Sequence, residues 1–167
     1  MKKYLSKVSL AALALGLAAG AANATPLTVG GGWTSFSFGG VGSSWDQDFT
    51  FSGPATLKVT DAFLSGDRFA VYDHGVLLGN TSVPGSVGDQ IGADYDAAYA
   101  DARWSHGAFT FGAGAHDITG LAILSPFGGG GAAVELVSAV GVPEPASLAL
   151  LGAGLLGLGA IRRRKAA

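Results

Sequence analysis

The sequence predicts an all-β fold: a single antiparallel β-sandwich, jelly-roll-like, over residues 25–141. Three observations predict it. Short runs alternate apolar and polar residues with a period of two, the pattern of a strand with one buried face. Gly, Asp and Pro interrupt these runs at roughly 8–12-residue intervals, the spacing of strand-turn-strand folds. Glycine occurs 22 times between residues 25 and 141, which disfavours long helices.

The 167-residue chain begins with a segment that reads as a secretory signal-peptide helix, residues 1–24. Lys2, Lys3 and Lys7 give it a positive start, and Leu10 to Ala22 is apolar. Ala22 and Ala24 place small residues at the −3 and −1 positions of a cleavage site, and Pro26 stops the helix just beyond. An apolar run of 13 residues falls short of the roughly 20 that a membrane span needs.

The alternating runs follow. They are Trp33 to Phe38, Gln47 to Phe51, Thr56 to Thr60, Arg68 to Tyr72, Ala108 to Phe111, His116 to Leu124 and Ala133 to Val137. Val71 to Val76 reads as a hairpin with Gly75 at a positive-φ position. Pro126 to Gly131 reads as a flexible Gly-rich loop, and Asp94 to Trp104 as one or two turns of helix. No internal repeat is evident.

The last segment, 142–167, has three parts. Val142-Pro143-Glu144-Pro145 is rigid and breaks any helix. Ala146 to Ile161 is apolar and uncharged over 16 residues, about 24 Å as a helix, and is expected to be a transmembrane helix with some local thinning of the bilayer. Arg162, Arg163, Arg164 and Lys165 form a basic stop that stays cytoplasmic by the positive-inside rule. Together with the signal peptide this gives one topology: middle domain outside, tail inside.

The formal charge of −2 hides a division. Seven of the ten Lys and Arg lie in the two ends, leaving Lys58, Arg68 and Arg103 against eleven acids, a net −8 for the middle domain. Three cations cannot neutralise a phosphate backbone, so nucleic acid is excluded as a partner. The absence of cysteine excludes disulfides, thiol catalysis and Cys-based zinc sites.

The tail VPEPASLALLGAGLLGLGAIRRRK, residues 142–165, resembles the PEP-CTERM sorting signal of exported bacterial proteins. The same kind of tail is also labelled an ice-binding protein C-terminal domain, a label that describes the tail and is no sign of ice binding. The resemblance implies that Pro143, Glu144 and Pro145 are recognised by an exosortase. It further implies export through the Sec machinery, cleavage by signal peptidase, and a single-pass inner-membrane intermediate with its domain in the periplasm. Surface or extracellular delivery in a Gram-negative, polysaccharide-producing envelope would follow. Residues 59–82 and 109–123 look like a recurring central domain of such proteins, through Asp61, Gly66 to Phe69, Asp73, Gly75, Gly114 and His116. That likeness implies a β-sandwich and no reaction.

Within the domain, Asp61, Asp67 and Asp73 surround Arg68 in sequence. Either they supply oxygens to Ca²⁺, which takes six to eight such ligands, or Arg68 bridges two of the carboxylates and pins a loop. Asp46-x-Asp48 and Asp94-x-Asp96 with Asp101 do not follow EF-hand spacing and read as loop charges or helix caps. His74 is expected at a hairpin tip, and His116 in a turn before a strand. Ser105-His106 and His116-Asp117 hold triad residue types, but neighbours on a strand point to opposite faces, and no Gly-x-Ser-x-Gly elbow is present. Glu135 is the domain's one glutamate, and it sits in a strand pattern. Trp33, Trp45, Tyr72, Tyr95, Tyr99 and Trp104 would serve either as a sugar-stacking platform or, for the tryptophans, as core filler. The sequence therefore leads to a non-catalytic structural or interaction protein of the envelope or extracellular matrix, with no required cofactor. A carbohydrate-binding module, stabilised by calcium and facing extracellular polysaccharide, is the alternative.

Overall fold

The structure is a computed structural model that describes residues 24–139. The signal peptide up to Asn23, the sorting motif and the expected span 146–161 lie outside the described residues. Among the described residues no helix is long and apolar enough to cross a membrane.

Nine strands and one short helix make up the domain. They are β1 (Ala24–Pro26), β2 (Trp33–Gly39), β3 (Asp48–Asp61), β4 (Phe63–Leu64), β5 (Arg68–Asp73), β6 (Val76–Asn80), β7 (Gln90–Gly92), α1 (Tyr95–Ala100), β8 (His106–Leu124) and β9 (Gly129–Ser138). The main sheet has seven strands in the order β2-β9-β3-β8-β5-β6, with β1 added in parallel to the start of β3. All its other pairings are antiparallel. A small second sheet pairs β4 with β7.

The sheet folds over on itself. β2 and β5 are four places apart in the strand order, yet Phe38 of β2 stands edge-on to Phe69 of β5 at 4.8 Å between ring centroids. Phe36 meets the same ring at 5.8 Å. The two layers close on a core of Phe36, Phe38, Trp45, Phe49, Leu57, Val59, Phe69, Val71, Ile118, Val134 and Leu136, in which Phe49, Leu57, Val59 and Ile118 are wholly buried. The alternation that predicted strands is what fills it: Phe49, Phe51, Ala55, Leu57 and Val59 take every second position of β3. This is the antiparallel sandwich-like architecture the sequence predicts.

Several elements differ in extent. Gln47 to Phe51 and Thr56 to Thr60 belong to one strand, β3, because Pro54 sits in a register shift between Gly53 and Ala55. A bulge tolerates a residue without an amide proton and lets the strand bend from one layer toward the other. β8 likewise runs unbroken for 19 residues, so His116 lies within a strand and not in a turn before one. Residues 129–131, expected to be loop, are the start of β9 and pair with β2. Their glycines have a packing reason: a Cβ on Gly131 would press on the Phe63 ring, and one on Gly129 on the Phe38 carbonyl. The hairpin turn is as expected. His74 and Gly75 have φ of 48° and 75°, the left-handed pair that a tight two-residue turn requires. β6 forms the outer edge of the sheet and exposes Val76, Leu77 and Leu78.

Trp45 lies against the backbone of β8 where only glycine leaves room, since a Cβ at Gly120 would clash with the indole ring. Substituting Gly120→Ala should therefore displace Trp45 and cost about 3 kcal/mol or more. Urea unfolding of the variant against the parent checks this, and a loss under about 0.5 kcal/mol would contradict the packing.

Candidate functional site

The outer face of β2, β9 and β3 carries a polar and aromatic row fixed by strand register. Trp33 is opposite Glu135, and Glu135 is opposite Lys58. Each has the opposite parity to the core residues beside it (Phe36, Val134 and Leu57), so all three side chains leave the core. Lys58 Nζ donates to Glu135 Oε2 at 2.9 Å. The same ammonium lies 5.9 Å from the Trp33 ring centroid and 5.2 Å from that of Tyr99, within cation–π range.

Helix α1 brings the tyrosines. Asp94 caps it, its Oδ1 accepting from the Ala97 amide at 3.1 Å. Tyr95 and Tyr99, four residues apart, fall on one helix face and meet Trp33 at 6.1 and 5.7 Å. Trp33 Nε1 donates to Asp96 Oδ1 at 2.8 Å, which ties the indole to the helix. Phe63 reaches Tyr95 from the other side at 6.4 Å, and His106 stands 5.3 Å from Tyr99. The rings are mutually tilted by 44° and 49°, so they form a shallow cup and not a flat platform. Half-buried aromatic faces beside one ammonium and two carboxylates offer apolar contact with polar handles.

The other aromatic candidates are elsewhere. Trp104 is wholly buried and Trp45 is 5% exposed, so neither reaches a ligand in solution; both fill the interior. Tyr72 is on β5, four strands from β2. Lys58 and Glu135 are the members that sequence reasoning missed as site residues. Their signal was available: Lys58 is the domain's one lysine, and it alternates with Leu57 and Val59.

The three aspartates proposed to hold calcium are not gathered. Asp73 pairs with Ile118, which pairs with Phe49 at the start of β3, whereas Asp61 ends that strand. Asp67 stays beside Asp61, its amide donating to Asp61 Oδ2 at 3.1 Å, whereas β5 carries Asp73 six residues, about 20 Å at roughly 3.3 Å each, away from Asp67. Among the described residues no group of three His, Asp or Glu is arranged to hold a metal. Nor does Arg68 bridge carboxylates; its Nε donates to the Thr81 carbonyl at 2.9 Å.

Asp73 instead joins two histidines. Its Oδ1 is 2.7 Å from His74 Nδ1 and its Oδ2 is 2.8 Å from His116 Nδ1, while the Asp117 amide donates to Oδ1 at 3.0 Å. His116 Nε2 faces the Gly112 carbonyl at 3.2 Å. Burial pushes the Asp73 carboxyl up, but these hydrogen bonds and the His116 charge outweigh it and hold it below the usual carboxylate range. His74 and His116 border an open groove of about 550 Å³ with Pro26, Thr50, Phe51, Ser52 and Asp117. His74 is exposed at its hairpin tip, as expected. The carboxylate here pins the β5–β6 turn to β8.

Asp61 and Asp67 are both buried. Burial and then the nearby Asp67 charge push Asp61 up to about 8, against three backbone amides that favour its anion. Burial also raises Asp67.

An acidic, antiparallel β-sandwich-like domain is the class that this fold and charge distribution define. The end of the chain makes it more specific: residues 141–165 match the PEP-CTERM protein-sorting motif. The chain is therefore an exosortase-sorted, exported protein of a Gram-negative envelope. No curated protein and no solved structure matches the chain.

A pH dependence follows from Asp61. Its folded pKa of about 8 lies above its ordinary 3.8, so its contribution is fully present below about pH 4 and is lost as pH rises through 8. In metal-free buffer, stability should fall from pH 5 to pH 8 by at most about 1.4 kcal/mol per pH unit. Asp73, shifted the other way, withdraws its contribution only as pH drops through and below the ordinary carboxylate range. Urea midpoints across this range check the slope, which Asp61→Asn should flatten; a midpoint that climbs toward pH 8 would contradict the assignment.

Proposed function

We propose that the chain is a non-catalytic structural or interaction component of the cell envelope or extracellular matrix, carried there by its sorting tail. The sorting motif at residues 141–165 is the observation that carries this reading. In it the Sec machinery exports the chain and signal peptidase cleaves after Ala24. Residues 146–161 then hold the intermediate in the inner membrane, with Arg162 to Lys165 in the cytoplasm. Exosortase acts at Pro143-Glu144-Pro145 and releases the domain to the surface. A domain with eleven acids and three cations stays soluble there and is repelled by anionic lipid headgroups.

A second reading rests on the cup of Trp33, Tyr95 and Tyr99. Sugar rings stack their C–H faces on aromatics, and Lys58, Glu135 and Asp96 stand where hydroxyls would be read. Extracellular polysaccharide is the ligand class such a cup suits.

Changing Pro143, Glu144 and Pro145 together to Ala should leave the precursor unprocessed in the inner membrane. Fractionation with immunoblotting checks this; delivery to the medium at the parent's rate would end the sorting reading. For the cup, a glycan array with the parent and Trp33→Ala separates the readings. Binding that Trp33→Ala weakens tenfold or more supports carbohydrate recognition, and no binding by either protein returns the cup to a purely structural role.

A further inference from the structure

Where β3 ends, the chain turns through Ala62 to Gly66 and enters β5. The turn is wound around the Asp61 carboxylate. Asp61 Oδ1 accepts from the Ala62 amide at 2.8 Å, and Oδ2 accepts from the Gly66 and Asp67 amides at 3.2 and 3.1 Å. Phe63 and Gly66, at φ of 59° and 134°, give the tight path that aims these amides inward. Asp67 closes the turn. Asp61 is 0% exposed and Asp67 2%.

Two features of this pocket are unsatisfied. Asp67 Oδ1 is buried with no hydrogen-bond donor, although a carboxylate oxygen there should have one. Ser125, in the connection between β8 and β9, is 9% exposed; its Oγ faces the Asp67 carboxylate and favours its charged form against burial, yet the two stand outside hydrogen-bonding geometry. Among the described residues no Lys, Arg or His pairs with either aspartate. Two carboxylates out of water without a counter-charge are costly, and either a proton or a bound cation must offset them. The three amides on Asp61 favour its charged form, which a bound cation preserves and a proton removes.

We propose that Asp61, Asp67 and Ser125 form a site for a divalent, oxygen-preferring cation, Ca²⁺, at the meeting point of the ends of β3 and β8 and the start of β5. The donors are all oxygen, with no imidazole or thiolate, which disfavours zinc and copper. Mg²⁺ keeps several waters in a strict octahedron, and these oxygens are shut off from solvent, so the larger and less demanding ion suits them. Backbone carbonyls would complete the coordination. The ion enters as the strand ends close during folding, so it is held as a structural ion and not exchanged at a surface. This site is independent of the carbohydrate reading and uses none of its residues.

The test is refolding of the purified full-length chain from denaturant at pH 7.5 in 1 mM CaCl₂, in 1 mM MgCl₂ or in chelator. Thermal unfolding follows, and atomic absorption measures retained metal. With Ca²⁺ the midpoint should rise by about 5 °C or more over chelator, one Ca²⁺ should remain per chain after desalting, and Mg²⁺ should leave the midpoint unchanged. Ser125→Ala, a mild change, should lose most of that rise while folding in chelator like the parent. The Ca²⁺ rise should also shrink at pH 5, where protons compete for the same oxygens. Equal midpoints in Ca²⁺ and chelator would overturn the site. So would a rise that Ser125→Ala and Asp67→Asn both retain. Stabilisation of the chelated protein by Asp67→Asn, with no Ca²⁺ response in the parent, would show that a shared proton neutralises the pair instead.

Discussion

The contact of Phe69 with Phe36 and Phe38 is the constraint on which the architecture depends. A sheet of this strand order has no need to curl for its hydrogen bonds alone. It curls because β2 and β5 each present aromatic faces that find no other apolar partner, and burying such rings contributes more than any single ladder bond. Once the layers close, Trp45 is trapped between Phe36 and β8, and the interior face of β3 becomes inaccessible along most of its length. On the reverse face Trp33, Lys58 and Glu135 stand in one cross-strand row.

This division explains how the two acidic centres come to differ. Asp73 belongs to an outer turn, receives donors from two histidines and an amide, and stays charged at little cost. Asp61 has the parity of Leu57 and Val59 and so points inward, at the last position of the strand before the chain leaves the sheet. The same residue type is thus a surface clasp in one place and a buried liability in the other. Position in the pleat decides it, not the chemistry of the side chain.

Much of the fold was legible in the sequence for a local reason: alternation of Phe, Val and Thr with polar residues is a direct record of one-sided burial. Trp33 to Phe38, Arg68 to Tyr72, the His74–Gly75 turn and the Asp94-capped helix were all readable in this way. Strand length was not, because Gly53-Pro54 looks like a terminator and is a bulge inside a continuous ladder. Residues 129–131 read as loop because their glycines answer to Phe63 and Phe38, partners remote in sequence. The site was legible in part. Aromatic composition pointed to the right residue types, but nothing local distinguishes the buried Trp104 from the half-exposed Trp33. Equally, the spacing of Asp61, Asp67 and Asp73 conceals that β5 carries the third away from the first two.

The placement of β9 has a mechanical consequence. This strand pairs with β2 along one edge and β3 along the other, and it ends at Ser138, three residues before the sorting motif begins. Any pull transmitted through the C-terminal segment would therefore load two hydrogen-bonded ladders in shear at once. Neither could be peeled open rung by rung. A globule leashed by that end would resist drag and tugging far better than one leashed through the single-edged β6.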